Sequence, residues 1–172
     1  MEPYLDEATL SARTGNLLGA LAVALADEIH DDAKARTEIG GEAPAALVSI
    51  GHAPGCSIDF LARLLRLSHP GTVRLVDRLV VAGLVERRAA SDGRAVALHL
   101  TDAGARRRRK LLAGRQTALD KAVTVLSPTQ REQLATIAEV LLKSLRGTDT
   151  LRAFTICRLC DERACANCPL DD

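Results

Sequence analysis

Residues 57–101 read SIDFLARLLRLSHPGTVRLVDRLVVAGLVERRAASDGRAVALHLT, and this stretch decides the fold. Ser57 is a candidate N-cap, because its hydroxyl can accept from the free amides of a first helical turn. Ile58, Leu61, Ala62 and Leu65 follow at helical spacing and give one apolar face. The run Leu67-Ser68-His69-Pro70-Gly71 breaks that helix and starts another. Ser68 is its cap, and Pro70 sits in the first turn, where a missing amide costs little. The second helix is expected to bury Val73, Val76, Leu79 and Val80 and to turn Gly71, Arg74, Arg78 and Val81 outward. Gly83 ends it, since glycine accepts the left-handed conformation of a helix terminus. Leu84–Arg88 and Ala95–Leu100 then read as two strands, with Asp92-Gly93 as the turn between them. A helix pair followed by a hairpin with arginines at its base and tip is a winged helix.

The residue types on the second helix point to nucleic acid. An arginine can bridge the O6 and N7 acceptors of guanine in the major groove, or neutralise phosphate. The charge distribution agrees. The whole chain of 172 residues has a formal net charge of only +1. Yet residues 61–115 hold 13 basic and 4 acidic side chains, against 10 basic and 18 acidic in the remainder. The winged-helix stretch is thus a basic footprint on an otherwise acidic protein. The competing reading is an ordinary solvated charge face.

These residues resemble the MarR family of winged-helix transcription regulators. The resemblance rests on D-F-L-A-R-L-L-R-L-S-H-P-G-T-V-R-L-V-D-R-L-V-V-A-G-L-V-E-R-R, then S-D-G-R, then L-T-D-A-G, in one order and spacing. It covers roughly residues 5 to 146 and implies a mainly α fold with a small β-hairpin wing, flanked by long dimerisation helices. It implies a homodimeric regulator of double-stranded DNA, a repressor by analogy, binding a pseudo-palindromic operator and answering to a small-molecule effector. DNA contacts are expected from Ser68, His69, Gly71, Thr72, Arg74, Arg78, Arg88 and Arg94. His69 takes its role from the resemblance, and Arg94, beside the turn, is expected to reach the minor groove.

The flanks fit that expectation. Residues 4–32 form a long helix with Leu10, Leu17, Leu18, Leu21, Leu25 and Ile29 in a stripe that one chain does not easily cover. Its acidic end, residues 27–32, reads as a hydrated terminus, having no defined ligand spacing. Pro44 opens a short apolar helix that Gly51 ends. Thr101-Asp102 caps the next helix, near whose start lies Arg106-Arg107-Arg108-Arg109-Lys110. Those cations contact phosphate or meet acids of a neighbouring element. Ser127-Pro128-Thr129-Gln130 is a capping box, and Leu134, Ala138, Leu141 and Leu145 stripe the last helix. The chain divides into residues 1–50 (dimerisation helix and first helix of the DNA-binding unit), 51–101 (winged core), 102–147 (dimerisation helices) and 148–172 (cysteine-rich tail).

The resemblance is silent on that tail. Cys157, Cys160, Cys165 and Cys168 form a C-x2-C-x4-C-x2-C array. Paired C-x2-C motifs chelate metal because two thiolates three residues apart reach one ion from a single turn. Tetrathiolate zinc is the simplest reading. An iron–sulfur cluster is the alternative, favoured by Pro169 directly after the last cysteine although the spacing differs from ferredoxin runs. Free thiols or two disulfides are the remaining reading, the latter disfavoured in a reducing compartment. The tail is expected to be a structural centre that doubles as a metal or redox sensor. Cys56 reads as a plain thiol, and His52 and His99 as structural.

Aromatic residues make up 2 % of the chain, so its core is expected to be Leu, Val, Ala and Ile packed between helices. No apolar run approaches the ~18 residues of a membrane span, and no basic-then-apolar signal opens the sequence. A cytoplasmic location is the expectation. No Ser/His/Asp order, glycine-rich phosphate loop or general-acid carboxylate pair marks an enzyme. The alternative function is a winged helix used as a protein-interaction or dimerisation module with a structural metal tail.

Overall fold

The computed structural model describes residues 6–36, 40–89, 96–165 and 168–170. Among the described residues, seven α-helices and one hairpin follow in order: α1 (Glu7–Arg36), α2 (Ala43–His52), α3 (Ile58–Leu65), α4 (His69–Val81), β1 (Val85–Ala89), β2 (Val96–Leu100), α5 (Asp102–Val123), α6 (Pro128–Arg146) and α7 (Thr150–Ile156). A 3-10 turn, Glu162–Ala164, follows in the tail. No described helix is long and apolar enough to cross a membrane.

The caps are where the side chains dictate them. Ser57, Ser68 and Thr101 each accept from an amide three residues on, belonging to Phe60, Gly71 and Gly104. Ser127 and Gln130 form the reciprocal capping box. Between α3 and α4, Arg66 takes a left-handed conformation (φ 55°), and Gly83 does so after α4 (φ 68°). The strands pair antiparallel, with Val85 opposite Leu100 and Ala89 opposite Val96.

The core lies under the winged unit. Leu47, Ile50, Leu61, Leu75, Val76, Leu79, Val85 and Leu98 are fully buried within it. α2 is buried on every side from Ala43 to Ile50. Two backbone approaches set the geometry around it. A Cβ on Gly104 would overlap the Leu84 carbonyl, the same oxygen that accepts from the Thr101 amide at 3.1 Å. That close approach is why the L-T-D-A-G junction needs its glycine. Gly51 does not end α2 as its type implied. It lies one residue inside the helix, where a Cβ would run into the Arg108 side chain of α5.

The loop before α3 joins the hairpin. The Gly55 amide donates to the Leu98 carbonyl (2.8 Å) and the Leu98 amide to the Cys56 carbonyl (3.0 Å). α1 begins and ends later than expected, at Glu7 and Arg36 instead of 4 and 32. The tail folds back onto the body: α7 packs on α3, and Leu170 is buried. The chain's two phenylalanines, Phe60 of α3 and Phe154 of α7, meet edge to face with centroids 5.6 Å apart.

Candidate nucleic-acid interface

α4 sorts its residues by the helical period. Thr72, Leu75, Val76 and Leu79 are buried, whereas Arg74, Asp77, Arg78 and Val81 are exposed. Val81 is 89 % exposed, an apolar side chain left in solvent at the end of an arginine-bearing face. Arg74 and Arg78 stand one turn apart and project from the body. Two guanidiniums in that setting offer forked donors to base edges or phosphates, with the helix held rigidly by its buried face.

The start of α4 is more heavily organised. Ser68 is spent on capping: its oxygen accepts from the Gly71 amide at 3.2 Å. The His69 ring nitrogen Nδ1 lies 2.7 Å from the Asp59 carboxylate of α3, so α3 orients the imidazole at the mouth of the helix. Gly71 is half-buried, and a Cβ there would press on the Ser68 oxygen. Thr72 corrects the expectation drawn from the sequence. Its side chain is 0 % exposed and its hydroxyl donates to the Ser68 carbonyl at 3.1 Å. It is a core residue, not a base contact. The signal was available, since Thr72 lies three, four and seven residues before Leu75, Val76 and Leu79, on the buried stripe.

The wing base is tied to this helix. Arg87 of β1 donates to Asp77 of α4 at 2.7 Å, a link between residues ten apart that sequence reading missed. Arg88 is exposed and pairs with Glu86, two residues back on the same strand and face. Arg94 and the Asp92-Gly93 turn lie outside the described residues.

The basic run on α5 divides. Arg106, Arg109 and Lys110 are exposed, but the Arg108 side chain is only 12 % exposed and pairs with Glu162 of the tail. His52 Nε2 of α2 lies 2.7 Å from the same carboxylate. Burial works to raise the Glu162 carboxyl, but Arg108 and His52 together hold it below its ordinary value. Cations meeting acids of a neighbour is therefore the outcome at Arg108. No sequence signal pointed to a partner so far along the chain.

All four tail cysteines line one cleft of about 340 Å³, alongside His52, Phe154, Glu162 and Leu170. The thiol of Cys157, interacting with that of Cys160, is pushed well up. The same contact, helped by the Arg115 and Arg158 guanidiniums and opposed by burial, draws Cys160 down to about 6. Arg115 Nη2 stands 3.8 Å from the Cys160 sulfur. Cys56 lies apart, pushed up to about 11 by burial.

These elements define a winged helix-turn-helix protein. Residues 39–95 match the model of the MarR family. A MarR family protein from Bacillus stearothermophilus shares the fold with a TM-score of 0.73 at 21 % identity, covering 84 % of this chain and 100 % of that one. The YusO protein of Bacillus subtilis gives 0.68 at 20 % identity, over 80 % and 97 % of the two chains. A MarR family transcriptional regulator from Silicibacter pomeroyi gives 0.62 at 20 % identity, over 85 % and 99 %. At such identities the likeness speaks to the fold. Comparison with curated proteins finds no match.

Proposed function

We propose that this protein is a DNA-binding transcriptional regulator, acting as a homodimer on a pseudo-palindromic operator. The observation that carries the reading is the solvent face of α4, where Arg74 and Arg78 project beside a hairpin whose base is anchored to the same helix by Arg87 and Asp77. Arginines on the outer face of the second helix of such a pair suit a major groove. The neighbour from Silicibacter pomeroyi is described as a transcriptional regulator, which supports the same assignment.

The dimer has its own support. Leu17 of α1 and Leu145 of α6 are 54 % and 56 % exposed, and Leu10, Leu18, Leu21, Ile137 and Val140 stand out with them. A monomer that left these stripes in water would forgo about 25 cal/mol per Å² of apolar surface. A two-fold partner covers the same patch on both copies. Repression, and response to a small ligand, to metal or to redox state, follow by resemblance to the family and by the presence of the tail.

Salt titration of duplex binding tests the reading. Each phosphate neutralised contributes roughly −0.9 to the slope of log affinity against log salt. A steep negative slope with retained sequence preference is the expected result. Binding that is absent at low salt would leave the winged helix as a protein-interaction module.

A further inference from the structure

Neither the arginine face nor the apolar stripes use the tail. Cys157 closes α7, and the Cys160 amide donates back to its carbonyl at 2.8 Å. That turn brings the first two thiols of the array to one side. The Cys157 thiol interacts with those of both Cys160 and Cys168, and Cys165 lines the same cleft. Arg115 and Arg158 bring positive charge to Cys160. None of the five cysteines is in a disulfide.

We propose that Cys157, Cys160, Cys165 and Cys168 form a tetrathiolate centre for a thiophilic metal ion, zinc being the simplest occupant. Four thiolates around a divalent ion leave two excess negative charges, and two guanidiniums stand close enough to offset them. Each thiol gives up its proton as it becomes a ligand. Among the described residues, no three His, Cys, Asp or Glu side chains are gathered closely enough to hold an ion as they stand. Binding therefore requires the four thiols, of which Cys165 is the exposed one, to close together around the ion.

The centre fixes more than itself. Glu162 lies in the four-residue span between Cys160 and Cys165 and holds both His52 of α2 and Arg108 of α5. α7, directly before Cys157, packs on α3, which presents Asp59 to His69. A metal on the tail thus pins the tail to α2, α3 and α5. This holds whether or not α4 reads DNA.

The test uses the full chain purified anaerobically with its thiols reduced. Metal analysis and a visible spectrum are taken on the wild type, on Cys56→Ser and on Cys157→Ser/Cys160→Ser. The expected result is one equivalent of metal in the wild type and Cys56→Ser, lost from the double variant. Colourless protein containing zinc supports an ion site. Brown protein containing iron and sulfide supports the same four ligands around a cluster. If the double variant fails to fold, alkylation of the wild type, mapped by mass spectrometry before and after adding zinc, decides. Protection of all four tail cysteines supports the centre. Wild type without stoichiometric metal, whose tail thiols are alkylated equally with and without zinc, overturns it, as does a folded double variant that keeps the metal.

Discussion

Arg74 and Arg78 stand exposed on the outer face of α4, whereas several other arginines are committed to acids. Arg87 is held by Asp77, Arg88 by Glu86 and Arg108 by Glu162. Replacing Arg74 or Arg78 by Ala is expected to cost about 1–3 kcal/mol of specific duplex binding and to relax base preference. Electrophoretic titration against cognate and random duplex checks this, and equal loss on both would confine these residues to phosphate. Gly104→Ala should behave differently. Its Cβ meets the Leu84 backbone, which cannot rotate away, so stability should fall by about 1–3 kcal/mol, measured by urea unfolding. Cys56, pushed up to about 11, should be almost wholly protonated at neutral pH and slow to react with iodoacetamide. Its folded value lies above its unfolded one, so its contribution to stability is intact below the unfolded value and is lost as pH rises toward 11. Rapid carboxymethylation at neutral pH would show that the thiol is not buried as described.

At the scale of elements, what the sequence made legible was local. Ser57, Ser68, Thr101 and the Ser127–Gln130 box announce helix starts because a capping hydroxyl needs an amide only three residues away. The α4 face was legible in part: Val76 and Leu79 are buried as expected, but Val73 and Val80 are half-buried, and Leu75 and Thr72, whose polar type masked its place, fill the buried stripe instead. The remaining features were out of reach because they join residues far apart. Nothing near Cys56 announces that its carbonyl extends the hairpin through Leu98. Nothing near Arg108 names Glu162 as its partner 54 residues on. The tail's docking on the body was out of reach as well, because a motif gives its ligands but not the surface it rests on. Phe154 supplies part of that surface. The edge-to-face pair with Phe60 is worth about 0.5–1.5 kcal/mol beyond simple burial. Phe154→Ala should lower stability by more than that amount, since its burial is lost too, and a double-mutant cycle with Phe60→Leu should return the coupling. A cycle with no coupling would mean that α7 does not hold α3.

For the whole molecule, the winged unit has a complete core, whereas α6 has no buried residue of its own. On the proposed function the two regions meet different partners, duplex for one and a second copy for the other. Leu141→Asp or Leu145→Asp should weaken the dimer by several kcal/mol, because an unpaired charge would be buried at the interface. Sedimentation at micromolar concentration should show a dimer for the wild type and a monomer for either variant. Two copies related by a two-fold axis present two α4 helices, and the DNA they prefer must carry the same symmetry. The most direct measurement is selection of bound duplexes from a random pool, followed by sequencing. The result predicted is an inverted repeat whose half-sites lie about one helical turn apart, centre to centre, and whose enrichment disappears in Arg74→Ala/Arg78→Ala. Enrichment of a single asymmetric site, or of none, would contradict it.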